Sequence, residues 1–182
     1  MVRRRYILYI VFVLIAAAYY YWTHVYVFTP VEAFVKSNIQ HRELLHSAVV
    51  KNGVLLFYSD TNSGIGVAYE VHSNLTGWQH ITGGGSAELI NNDYISWCWS
   101  RLEDGERETG VTFGELIHPD VTAMKAKMVN GNLLIEKEAT IVDFNGGRLW
   151  YVVSDKAVDT VKMYAYSSSG QLLFTHHCFG EI

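Results

Sequence analysis

Few residue sets in this chain could do chemistry. His176, His177 and Cys178 are ligand types for a soft metal ion, and on an extended strand His176 and Cys178 share one face. A zinc-type site needs three or four ligands. Only His72 or His80 stand ready to complete one, and no spacing selects either, so no metal and no other cofactor is expected. His41 and His46 flank Glu43 without forming H-E-x-x-H, and both read as surface residues. Thr82-Gly83-Gly84-Gly85-Ser86 has the composition of an anion cradle. It lacks the lysine and the following helix of a phosphate loop, because Ala87-Glu88-Leu89-Ile90 comes next, so it reads as a flexible loop or bulge. Neither G-x-S-x-G nor S-x-x-K is present. Glu103-Asp104 and Glu106-Glu108 surround Gly105 in a charged turn, a solvated loop rather than a glycosidase pair. No catalytic residue is assigned.

Two further sets concern binding and stability. Trp78, Trp97, Trp99 and Trp150 would make a sugar-stacking platform if at least two were exposed and coplanar; otherwise they are core. Cys98 and Cys178 fall in strand-like runs of a domain read below as lying outside the cytoplasm, where a disulfide is permitted. It would close a long loop and stabilise by about 4 kcal/mol in the chain-entropy view. Two separate buried thiols are the alternative. Asn74-Leu75-Thr76 is a glycosylation sequon, meaningful only in a eukaryotic secretory pathway.

The elements that must position these residues are mostly strands. Asn52-Gly53, Asn130-Gly131 and Asn145-Gly146-Gly147 each separate two apolar runs, and Asn-Gly suits the positive φ angles of two-residue hairpin turns. Asp104-Gly105 and Ser167 to Gly170 mark further turns. Ile95, Trp97 and Trp99 alternate with Tyr94, Ser96, Cys98 and Ser100, and Val161, Met163 and Ala165 alternate with Lys162, Tyr164 and Tyr166. One buried and one wet face is the antiparallel expectation. Before them, Thr29-Pro30-Val31-Glu32 has the chemistry of a helix start. The spacing of Val31, Phe34, Val35 and Ile39 predicts a short amphipathic helix over 30–41. The fold expected is mainly β: an N-terminal transmembrane helix and this short helix, then an antiparallel β-sandwich or barrel-like domain.

The chain has 182 residues, 49% hydrophobic and 18% charged, enough for one core and too apolar for disorder. Arg3, Arg4 and Arg5 precede an uncharged run, and Tyr6 to Val27 supplies the roughly 20 residues a spanning helix needs. Tyr19, Tyr20, Tyr21 and Trp22 near its far end suit an interfacial layer, and the arginines place the N-terminus in the cytoplasm. Residues 1–28 are therefore read as a membrane anchor and 29–182 as an extracytoplasmic β domain. A signal peptide cleaved at Ala16-Ala17-Ala18 is the alternative. The net charge is -4; without the three arginines, 11 basic residues face 18 acidic ones, which gives the outer part about -7. Such a domain does not bind nucleic acid or anionic lipid by charge.

In order, the basic start and span, Thr29-Pro30-Val31-Glu32-Ala33, Gly53-Val54-Leu55-Leu56-Phe57-Tyr58, Gly77-Trp78, Arg148-Leu149-Trp150-Tyr151, Val161 to Tyr166 and Gly170-Gln171-Leu172-Leu173 form a pattern. The pattern resembles small, uncharacterised membrane-anchored extracytoplasmic β-domain proteins of Gram-positive bacteria. The resemblance implies a tethered outer β domain and carries over no activity, cofactor or catalytic residue. With no reaction motif in the chain, the function expected is non-enzymatic binding of a protein or envelope component. A glycan or small-ligand module and an envelope hydrolase are the alternatives.

Overall fold

The computed structural model describes residues 2–37, 42–60, 64–84, 94–104, 107–156, 158 and 160–178. The chain starts with α1, Val2–Tyr20, continues as a π-helical turn, Tyr21–Val25, and becomes extended at Tyr26. The long α-helix expected over 6–27 is therefore interrupted. Thr23 Oγ1 donates to the carbonyls of Tyr19 (2.8 Å) and Tyr20 (3.3 Å), a side-chain bond that competes with the regular ladder. Among the described residues, no helix is long and apolar enough to cross a membrane.

Helix α2, Pro30–Lys36, starts as the sequence indicates. Thr29 Oγ1 accepts from the Glu32 amide (3.1 Å), and the Glu32 carboxylate accepts from the Phe28 amide (3.0 Å), one residue earlier than in a standard capping box. The helix runs to Lys36, and residues 38–41 of the expected 30–41 lie outside the described residues. Ser37 ends it, its hydroxyl donating to the Phe34 carbonyl (2.7 Å), as serine's affinity for local backbone bonds favours.

Twelve strands follow among the described residues: β1 Leu44–Val50, β2 Gly53–Asp60, β3 Gly64–Ser73, β4 Gly77–Gly84, β5 Cys98–Asp104, β6 Arg107–Glu115, β7 Ala123–Asn130, β8 Leu133–Glu138, β9 Thr140–Phe144, β10 Gly147–Ser154, β11 Thr160–Tyr166 and β12 Leu172–Cys178. They form three antiparallel four-stranded sheets, ordered β1-β2-β3-β4, β5-β6-β10-β9 and β12-β11-β7-β8. The mainly β expectation holds, and the sandwich continues into a third sheet.

Three apolar layers show how the sheets stack. Leu55, Phe57, Val67 and Tyr69 of the first sheet meet Leu102, Val111, Phe113 and Leu149 of the second. Trp97, Trp150 and Val152, from the second sheet and its approach, meet Met124, Met128, Val161 and Met163 of the third. On its outer face the first sheet packs Val54, Leu56, Tyr58 and Ala68 under Phe34 of α2. The second sheet is thus covered on both faces, which corrects the expected wet face of 94–100: Ser96 and Ser100 are as buried as Trp97. Ser96 is satisfied there. Its hydroxyl accepts from the Glu115 amide (2.8 Å), and its carbonyl accepts from Trp150 Nε1 (3.1 Å). The third sheet keeps the expected division, with Val161, Met163 and Ala165 buried and Lys162, Tyr164 and Tyr166 half-buried on the other face.

Candidate functional site

The predicted binding residues do not converge. Trp150 is fully buried and Trp97 nearly so; Trp99 is half-buried against the same core. Trp78 is half-buried on the far face of the first sheet, edge-on to His72 with ring centroids 5.3 Å apart. Trp97 and Trp150 are buried, and the two half-buried rings, Trp78 and Trp99, lie on different sheets. Large rings sit there because the middle layers need volume.

The histidines also separate. His72 and His80 lie on the first sheet and His176 and His177 on β12 of the third, so neither His72 nor His80 can complete a site with the latter. Among the described residues no group of three or more His, Cys, Asp or Glu is arranged to hold a metal ion. His46, read as a surface residue, is half-buried: its ring stacks on Phe57 (6.2 Å), and its Nε2 lies 3.4 Å from Tyr151 Oη. Burial holds its pKa below the usual value. His176 lies against Trp97 (5.3 Å) and is lowered by burial and then by His177. This ring contact sets β12 beside the approach to β5, which carry Cys178 and Cys98; the Cys178 side chain lies outside the described residues, as do His41, Gly85, Ser86, Gly105 and Glu106. Glu103 and Glu108 both pair with Arg101, as a solvated charged turn would.

Polar residues that do converge lie elsewhere, on the outer face of the first sheet. Glu70 on β3 is fully buried, opposite His80 on β4, and its Oε1 is hydrogen-bonded to His80 Nδ1 at 2.8 Å. The other carboxylate oxygen, Oε2, is buried and has no hydrogen-bond partner among the described residues. Burial pushes the Glu70 carboxyl above its ordinary range; the bond to His80 and its charge oppose that shift without cancelling it. The carboxyl group fixes the imidazole's orientation and directs Nε2 away from it. His80 Nε2 and Tyr58 Oη both lie 3.9 Å from where a Cβ on Gly83 would stand, so this glycine leaves the space between them open. Arg42 lies over the Tyr58 ring at 4.8 Å. A buried carboxyl paired with an imidazole can hold and pass a proton. The sequence signal was a lone acid in the apolar run Val67-Ala68-Tyr69-Glu70-Val71, ten residues before a histidine across a hairpin.

The same face is joined to the N-terminal helix. Val27 bridges Gly77: its amide donates to the Thr76 carbonyl (3.0 Å), and its carbonyl accepts from the Trp78 amide (2.9 Å). Gly77 has φ +76, and a Cβ there would fall well inside contact distance of the Val27 carbonyl. Tyr26 Oη reaches His72 Nε2 at 3.5 Å, and the rings of Trp22, Tyr26 and Phe28 gather at the junction. A separate cleft of about 350 Å³ opens between the first and second sheets, with Lys51, Asp155 and Lys156 among its lining. No protein-family model, curated protein or solved structure matches the chain.

Proposed function

We propose that the chain is a membrane-tethered extracytoplasmic β domain that binds a protein or envelope component at the membrane surface. One observation carries the reading: every described side chain from Tyr6 to Tyr20 is exposed, on all sides of α1, and nearly all are apolar. A helix that is apolar all round is stable only when buried. Past the arginines α1 is short of the roughly 30 Å hydrocarbon thickness, and the π-helical turn adds the uncharged length through Val25. The aromatic cluster of Trp22, Tyr26 and Phe28 then falls at the interfacial level. The arginine cluster favours a cytoplasmic N-terminus, and the oxidising exterior would allow Cys98 and Cys178 to pair. A reporter fused after Ile182 checks the orientation. Activity of an extracytoplasmic reporter and silence of a cytoplasmic one are expected; the reverse pattern overturns it.

The Glu70–His80 pair supports a second reading, an envelope hydrolase in which His80 moves the proton. Turnover of an envelope ester or glycoside that His80→Ala abolishes would favour it over pure binding.

A further inference from the structure

We propose that the domain sits directly on the lipid surface, through an apolar rim made of Phe28, Val31, Val35 and Leu75; this rests on the membrane reading above. All four side chains are exposed, at 55%, 40%, 52% and 77%. Isolated apolar residues on a surface need no explanation, but these four are tied to one point. Phe28 follows Val27, whose backbone bridges Gly77. Leu75 projects from the β3–β4 turn one residue before Thr76, which accepts the Val27 amide. Val31 and Val35 stand one turn apart on α2, which starts two residues after Phe28 and is fixed to the first sheet by Phe34.

The bridge leaves no slack between helix and domain. Wherever the apolar helix enters the bilayer, the rim arrives at the same level. The occupant is lipid rather than a protein partner because the rim adjoins the end of the apolar helix and its Phe28 meets the interfacial rings of Trp22 and Tyr26. The attraction is apolar. The outer part carries about -7, and the charged groups on α2, Glu32 and Lys36, neutralise each other at 2.9 Å. The rim therefore needs no anionic lipid and tolerates salt.

The test uses the full chain in phosphatidylcholine vesicles, with a photoreactive benzophenone amino acid placed at position 12, 35, 75 or 134, all of them exposed. Lipid adducts are expected at 12, 35 and 75, at low and high salt alike. Position 134, on β8 of the third sheet, should stay at background. Adducts at 12 without adducts at 35 and 75 would overturn the rim and leave the anchor standing. No adduct at 12 would remove the anchor, and the rim with it. Chain-to-chain adducts at 35 and 75 would assign this face to a second copy and overturn the lipid assignment.

Discussion

Glu70 and Gly77 carry more of this account than any residue the sequence marked for chemistry. Glu70 binds its proton more tightly in the folded chain than in the unfolded one, because its surroundings are dry. Its stabilising contribution is fully present below the ordinary value of about 4.5 and is lost as pH rises through the raised folded value. Stability should therefore fall by up to about 1.4 kcal/mol per pH unit across that window. Glu70→Gln keeps an acceptor for His80 and has no proton to lose, so urea melts at pH 5 and pH 7 should show that part of the fall removed. An unchanged pH profile would mean that Glu70 titrates normally. Glu32 acts in the opposite sense: Lys36 and the Phe28 amide hold it below its ordinary range, so its contribution is lost at low pH. At Gly77, any side chain meets both a positive φ and the Val27 carbonyl. Gly77→Val should cost about 1–3 kcal/mol and expose the 26–29 segment to protease before the β domain itself is cut.

At the scale of elements the hairpin turns were legible because φ > 0 has a strong residue preference. Gly131 has φ +55 and Gly146 +116, each in the turn the sequence named, and each faces open space. Gly131→Val and Gly146→Val should thus cost backbone strain alone, about 1–3 kcal/mol each by thermal melting. The first hairpin turn lies one residue earlier than Asn52-Gly53 indicates. Val50 pairs with Gly53, so the loop is Lys51-Asn52, and Gly53 is needed where the Glu70 backbone passes close by. Thr29→Ala should remove the cap of α2 at a cost of about 0.5–2 kcal/mol, loosening the cover that Phe34 makes over Tyr58 before the strands melt; amide exchange on α2 reads it directly. The Glu70–His80 pairing was hidden for a physical reason. It depends on the hairpin register across Asn74-Leu75-Thr76 and on an irregularity between Tyr69 and Glu70, neither of which the alternation of residue types reports.

For the whole molecule, the strand content and antiparallel pairing could be read from turn spacing, whereas the stacking could not. Alternation is a local property; whether the second face of a strand meets water or another sheet is decided by chain segments far away. So Ser96 and Ser100 read as wet and lie buried, and the choice between platform and core for Trp97 and Trp99 falls to packing only once the sheets stack. In the proposed reading, the apolar N-terminal helix stays attached to the domain and holds it at a membrane. Alkaline extraction of native membranes, followed by N-terminal sequencing of the retained chain, tests it most directly. The protein should resist extraction until detergent is added, and its N-terminus should lie before Tyr6. A chain that washes free and begins at Tyr19 would contradict it, because the helix would then have been a cleaved leader and the Val27–Gly77 bridge would fasten the domain to nothing in the membrane.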